Sequence, residues 1–236
     1  MPDKTKIKAV FFDFMGTCLD WHSSVVKSMS AFIPADQASD LALNWRRLYF
    51  LENENRFQQN LPSEDIDLTL ARALEIALSQ DPNQPRLEAN EKRQLIEAWH
   101  FQPAWPEVPR ALRDLRDNLG LEVFVHANGT TRLQLDLARS SGLEFHMLFS
   151  SKLLGLYKPS LDAYRKALEL VQHCPEEVVM VAAHAYDLRA AKKIGMRTIY
   201  IHRWTDDIDE DMNQVKVEFD FFLENMEELP PTIANM

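Results

Sequence analysis

Cysteine is scarce in this chain: Cys18 and Cys174 are its only two thiols. They make no disulfide framework and no metal-ligand spacing, so they read as ordinary thiols of a reducing cytosol. No run or stripe of Lys and Arg stands out. With 26 Lys and Arg against 36 Asp and Glu, the formal net charge is −10, and no nucleic-acid partner is expected. No stretch of about 20 apolar residues is present, as a membrane span requires. The opening Met1 to Lys8 is polar and leads straight into an apolar run, so neither a secretory leader nor a membrane partner is expected. Internal repeats and low-complexity tracts are absent too. What remains is a chain of 236 residues with 46% hydrophobic content. That suffices for one α/β domain plus a modest insertion, with a real core.

Two kinds of segment alternate. Short apolar runs at Lys8–Phe14, Leu121–Ala127, His146–Phe149, Val178–Ala183 and Arg197–His202 read as strands. Helical spacing appears in Val108, Ala111, Leu112, Leu115 and Leu119, and again in Leu161, Tyr164, Leu168 and Val171. Gly120 and Gly142 stand where those helices should stop. Strand and helix in series imply a Rossmann-like parallel sheet flanked by helices.

The stretch from Asp20 to Trp105 differs. It carries no convincing strand but two helical stripes: Leu41, Trp45, Leu48 and Leu51, then Leu70, Ala73, Leu74, Ala77 and Leu78. Pro34, Pro62, Pro82, Pro85, Pro103 and Pro106 punctuate it. We read residues 1–20 and 106–236 as the α/β core domain and 21–105 as an inserted helical cap (lid) over the sheet's carboxyl edge. Trp45, Tyr49, Phe50 and Phe57 read most simply as the cap's own core, and alternatively as an apolar wall to the pocket. The acidic segment Trp204–Asp220 reads as a loop, and Phe219–Phe222 as a last short strand.

The most informative segment is Ala9-Val-Phe-Phe-Asp13-Phe-Met15-Gly-Thr-Cys-Leu-Asp20. An aromatic strand ends on one carboxylate and turns sharply. Burying an unpaired carboxylate is costly, and ligands of open α/β sheets bind at this edge. Asp13 is therefore a candidate nucleophile. Three further strand ends offer partners. His126-Ala127-Asn128-Gly129-Thr130-Thr131 brings an amide that can orient substrate and a threonine that can cap the next helix. Tyr157-Lys158-Pro159-Ser160 brings a cation just before a Pro-initiated helix. Ala182-Ala183-His184-Ala185-Tyr186-Asp187 brings a second carboxylate. At roughly 4 Å and an effective dielectric of 20, each Asp–Lys attraction is on the order of 4 kcal/mol before desolvation. That keeps Asp13 ionised, as a nucleophile requires, and leaves Asp187 as a base for water.

These residues resemble the haloacid dehalogenase superfamily from Phe11 to Arg203, and within it the (S)-2-haloacid dehalogenase (type II) branch. Asp13 to Asp20 is similar to the family's first motif. Asp20-Trp21-His22-Ser23, Trp45-Arg46, Tyr157-Lys158-Pro159 and Ala185-Tyr186-Asp187 are similar to the branch. The resemblance implies hydrolytic dehalogenation of a 2-haloacid. Asp13 attacks the halogen-bearing carbon, and water activated near Asp187 and Lys158 hydrolyses the resulting aspartyl ester. It implies that Arg46 and Asn128 cradle the halide. It requires no metal or other cofactor, implies a small organic-acid substrate, and allows a homodimer, since apolar lids of the branch often mediate one.

Several positions depart from that pattern. Met15 replaces a Tyr, Ala127 a Ser that binds the substrate carboxylate, and Ala182 and His184 a Ser and an Asn. Met15, Ala127, His184 and Tyr186 are accordingly read as lining the substrate, in a more apolar pocket that suits a larger molecule. His184 can take a proton or bind an anion, whereas His126 reads as a neutral histidine away from the reacting atoms. Two alternatives accompany the dehalogenase reading. One is a repurposed member that binds or transforms a larger organic acid. The other is a Mg²⁺-dependent phosphatase, disfavoured because Met15 and Ala183 stand where such enzymes carry carboxylates.

Overall fold

A computed structural model describes residues 6–62, 64–80 and 86–236. Pro82 and Pro85 lie outside the described residues, as do the first five residues of the polar opening. In chain order the elements are β1 (Ala9–Phe12), α1 (Trp21–Met29), α2 (Ala35–Gln58), α3 (Ile66–Gln80), α4 (Ala89–Glu97), α5 (Val108–Arg113), β2 (Glu122–Ala127) and α6 (Thr131–Ser141). They continue with β3 (Met147–Ser150), α7 (Ser151–Leu154), α8 (Leu161–Val171), β4 (Val178–Ala182), α9 (Ala185–Lys193), β5 (Arg197–Ile201), α10 (Met212–Glu218), β6 (Phe221–Leu223) and α11 (Leu229–Ala234). The chain divides into two compact units, residues 1–19 with 104–236, and residues 20–103.

The first unit is a six-stranded sheet in the order β3-β2-β1-β4-β5-β6, parallel at every pairing. A parallel sheet covered on both faces buries both sides of each strand, so its strands are continuous apolar runs. β1 is Ala-Val-Phe-Phe and β4 is Val-Val-Met-Val-Ala, buried throughout. Chain order reverses between β1 and β4, the switch point where a crevice opens at the carboxyl edge. Register carries Phe12 beside Val125 on one side and Val181 on the other. One further bond, from the Asp13 N–H to the Val181 carbonyl at 3.0 Å, fixes the backbone of Asp13 at that crevice. Phe11 meets Phe124 edge-on with ring centres 5.5 Å apart, so the core begins directly beneath the site.

Local details depart from the sequence expectations for identifiable reasons. β3 starts at Met147, one residue late; at His146 the backbone N–H donates to the Val123 carbonyl at 2.9 Å and the ring accepts the Val123 N–H at 2.9 Å. The helix of Val108 ends at Arg113 and widens into a π-type turn over Asp114–Asn118 before Gly120, which has φ +67°. Pro159 does not open a helix. The Lys158–Pro159 peptide is cis, and α8 begins at Leu161. The acidic segment after Trp204 is not all loop, since it contains α10, capped by Asp211 accepting from the Asn213 N–H and anchored by buried Val215.

The second unit is helical, with no strand among its described residues. Asp20 caps α1 by accepting from the Ser23 N–H at 3.0 Å. Trp21, Trp45 and Trp99 are fully buried. Trp21 stacks on Trp99 and Trp45 meets Trp99 edge-on, both with ring centres 5.2 Å apart, and the Trp45 indole donates to the Leu70 carbonyl at 2.8 Å. The buried stripe of α2 is Ala38, Leu41, Ala42, Trp45, Arg46 and Tyr49. Leu51 and Phe57, expected inside, are exposed because the helix turns them off that face. No helix among the described residues is long and apolar enough to cross a membrane.

Candidate active site

Asp13 follows β1 directly and is 6% exposed. The Lys158 ammonium lies 3.0 Å from its Oδ1 and also donates, at very short range, to Asp187. Lys158 and Asp187 are themselves buried. Desolvating each such ion costs several kcal/mol, and only close, fully bonded pairing offsets it. The pairing is close here. Thr17 donates its hydroxyl to Asp13 Oδ2 at 3.0 Å and accepts the Ala183 N–H at 2.9 Å. Tyr164 donates its hydroxyl to Asp187 Oδ1 at 2.5 Å.

The electrostatics follow. Burial opposes ionisation of Asp13, but the charges of Lys158 and His184, with hydrogen bonds from Lys158 and Thr17, outweigh it and hold the carboxyl below the usual range. Burial likewise opposes the charge on Lys158, and the two carboxylates more than restore it. For Asp187, burial and the nearby charge of Asp13 push the carboxyl up, with Lys158 and Tyr164 pulling it back. One carboxylate is thus firmly ionised and the other made more basic, the division of labour that a nucleophile and a base need.

Asn128 serves a purpose its sequence position did not suggest. Its amide donates to the Lys158 carbonyl at 2.9 Å and accepts the Lys158 N–H at 2.8 Å, so it holds the lysine's backbone at the sheet edge. Thr130 caps α6 by accepting from Leu133 N–H at 3.0 Å. Ala127 ends β2 and Ala182 ends β4, both buried. Met15 is buried, and its carbonyl lies 3.4 Å from His184 Nε2. His184 is buried beside Asp13, with Nε2 3.5 Å from Oδ2, and Tyr186 stacks on its ring with centres 5.8 Å apart. His126 is buried among aromatic rings, edge-on to Tyr164 at 4.9 Å. Burial and the charge of Lys158 push its pKa well down, so it is neutral.

Asp13, Lys158, Asp187, His184 and Asn128 thus come together at one edge of the α/β unit. Arg46 belongs to the helical unit. It is buried there against the rings of Phe50, Trp21, Trp99 and Tyr49, with its guanidinium carbon 4.5 to 5.8 Å from their centres. Sequence reasoning missed four residues of the site: Thr17 on Asp13, Tyr164 on Asp187, and Asp206 and Asp207 on His184. In the sequence Tyr164 shows only as one position of an apolar stripe, yet a buried tyrosine hydroxyl needs a partner. Thr17 stands one turn from Asp13, close enough to bond it. The positions that would arm a phosphatase hold Met15 and Ala183, which offer a hard cation no carboxylate.

The model of haloacid dehalogenase-like hydrolases matches residues 7–195. This chain belongs to that family. It is 31% identical over 209 residues to haloacetate dehalogenase H-2 of Moraxella sp. (strain B), covering 87% of this chain and 90% of the relative. It is 27% identical over 199 residues to (S)-2-haloacid dehalogenase 4A of Burkholderia cepacia, covering 84% of each chain. The crystal structure of an L-2-haloacid dehalogenase superposes with a TM-score of 0.82 at 26% identity, covering 98% of this chain and all of the other. The haloacid dehalogenase-like chain described here therefore falls in the family's 2-haloacid dehalogenase branch, with the α/β Rossmann-like fold of that branch.

Proposed function

We propose that this protein hydrolyses the carbon–halogen bond of a 2-haloacid through an ester on Asp13. The observation that carries the reading is the buried Asp13–Lys158–Asp187 chain of charges, in a site whose phosphatase positions hold Met15 and Ala183. Similarity to named haloacid dehalogenases over most of both chains supports the carbon–halogen assignment.

In the first step an Asp13 oxygen forms a bond to the substrate's C2 as the carbon–halogen bond breaks, and the halogen leaves with the bonding pair as halide. In the second, Asp187 takes a proton from water. The hydroxide adds to the Asp13 carboxyl carbon and the ester C–O bond breaks; the departing alkoxide takes the proton of the added hydroxyl and leaves as the 2-hydroxyacid, and Asp187 gives its proton up to solvent. Asp13 returns as a carboxylate carrying one oxygen from water. Lys158 holds Asp13 ionised for the first step and steadies negative charge on its carboxyl in the second. Arg46, together with an amide N–H of Asn128 besides the one given to Lys158, is assigned to the departing halide. Met15, Ala127, His184 and Tyr186 are assigned to the substrate. Exposed Leu51, Phe57, Leu68 and Ile76 on the helical unit suit the homodimer the resemblance allows.

Halide release from a panel of small and bulky 2-haloacids tests the substrate class. Asp13→Asn should lower it by at least about 10⁴-fold, as loss of a covalent nucleophile does. Multiple turnovers in H₂¹⁸O should place ¹⁸O in Asp13, read by peptide mass spectrometry. An unlabelled Asp13 after turnover excludes the ester route, and a halide-free panel excludes the substrate class.

A further inference from the structure

His184 stands where the resembled branch has a neutral amide, and its surroundings are acidic on both sides. Its Nδ1 lies 3.4 Å from Asp207 Oδ1. Its Nε2 lies 3.6 Å from Asp206 Oδ1 and 3.5 Å from Asp13 Oδ2, with the Met15 carbonyl at 3.4 Å. Every one of these facing atoms is an oxygen acceptor. A neutral imidazole has one N–H and one bare lone pair, so one of its nitrogens would point a lone pair at a carboxylate. Only the doubly protonated ring donates from both nitrogens.

The two acids are themselves fixed. Asp207 Oδ2 accepts the Ala185 N–H at 2.6 Å, at the start of α9, and the Tyr200 hydroxyl at 3.2 Å. Its backbone takes φ +51° to reach them. Asp206 accepts the Thr205 hydroxyl at 2.8 Å and presses on the backbone of Gly16, where a Cβ would lie 2.6 Å from both of its oxygens. Gly16, at φ +83°, is therefore the residue that admits Asp206 to the site. Around His184 the charged and titratable groups include Asp13 after β1, Asp206 and Asp207 after β5, the stacked Tyr186 ring on α9, Tyr200 on β5 behind Asp207, and Lys158 beyond Asp13.

We propose that Asp206 and Asp207 are positioning residues that hold His184 as an imidazolium against the nucleophile, giving Asp13 a second cation opposite Lys158. The proposal rests on the nucleophilic reading of Asp13 and extends it. Lys158 guards Oδ1, and His184 guards Oδ2 together with the Thr17 hydroxyl. Burial opposes the imidazolium, and Asp207, Asp206 and Asp13 outweigh it, raising its pKa to about 9.

Two readouts separate this from the dehalogenase assignment. The first is NMR titration of the His184 side-chain nitrogens in the intact protein, which needs no substrate. His184 should stay doubly protonated through pH 8, and its midpoint should fall by about one pH unit or more in Asp207→Asn and in Asp206→Asn. The second variant keeps the test open if the first does not fold. A wild-type midpoint below 7, or an unmoved midpoint in both variants, overturns the proposal. The second readout is the pH profile of halide release. Its alkaline limb should follow the NMR midpoint, move to lower pH in Asp207→Asn, and return toward wild type in Asp207→Glu. A limb that ignores these variants while the midpoint moves confines the charge to the resting protein and overturns its role at the nucleophile. Absence of halide release with a midpoint near 9 would instead sink the substrate assignment and leave His184 charged.

Discussion

The two flanks of Asp13 are built alike from different parts of the chain. On one side Lys158 meets the nucleophile, Asp187 backs the lysine, and the Tyr164 hydroxyl backs Asp187. On the other, His184 meets it, Asp207 backs the histidine, and the Tyr200 hydroxyl backs Asp207. Cation, carboxylate and phenol recur in the same order. The difference lies in tightness and in chemistry. The Lys158 ammonium lies 3.0 Å from Asp13, while the His184 ring nitrogens keep 3.4 to 3.6 Å from their carboxylates. Lysine holds its proton far into alkaline solution. A histidine has its charge only as long as its acids supply the field. The site therefore pairs a permanent cation with a conditional one.

Removing the permanent cation should do the most damage. Lys158→Met leaves Asp13 and Asp187 facing one another in a buried site, and breaking a buried pair in this way costs about 3–5 kcal/mol. Urea unfolding at pH 7 measures it. The loss should shrink as pH falls, because the stranded carboxylates then take up protons. A loss under about 1 kcal/mol at pH 7 would mean that the lysine flank is not the stronger one and would break the comparison.

The conditional cation should show itself in the pH dependence of stability. His184 has a folded pKa near 9 against an ordinary value of 6.5. A base whose pKa rises on folding adds stability that is complete below the unfolded value and is lost as pH climbs through the folded one. The stability difference between wild type and His184→Gln should thus be largest near pH 6 and decline between about pH 6.5 and 9. Lys158 is also raised, from an ordinary 10.5, so its contribution persists beyond that window. A difference that stays flat from pH 6 to pH 9 would show that the ring is not charged in the folded protein.

These flanks were not equally legible in the sequence. Asp13, Lys158 and Asp187 each follow an apolar strand, and period and position suffice to bring such residues to one sheet edge. The same signal predicted all six strands to within a few residues, since a doubly covered sheet imposes continuous apolar runs. Asp206 and Asp207 carry no such mark. They sit in an acidic segment, where a surface loop is the ordinary reading of such composition, and the burial of Asp206 depends on Gly16, some 190 positions away in the chain. Asn128 was visible as a polar group after β2, but not its reciprocal bonds to the Lys158 backbone, which depend on the course of the chain around Lys158 and Pro159. Phe57 and Leu51 failed for a related reason. An apolar spacing marks a helix, while which side is covered depends on the helix packed against it, and α2 turns Tyr49 and Arg46 inward instead.

The smallest test compares the two phenols that close the flanks. Tyr164 and Tyr200 are both buried, and each donates to a carboxylate backing a cation. Replacing either by Phe removes one hydroxyl and keeps the ring, so packing is largely preserved and the hydrogen bond is isolated. The Tyr164 bond is 2.5 Å and the Tyr200 bond 3.2 Å. Hydrogen bonds to charged groups are worth about 1.5–3 kcal/mol. Tyr164→Phe should lose an amount in that range, and Tyr200→Phe about 1 kcal/mol or less, since Asp207 keeps the Ala185 N–H. The ordering matters more than either value. Among the described residues Asp187 keeps the Lys158 ammonium, whereas Asp207 retains a helix-start N–H and the imidazolium. Equal losses in urea unfolding would mean that the flanks are equally tight, and the distinction between a permanent and a conditional cation would then rest on proton affinity alone.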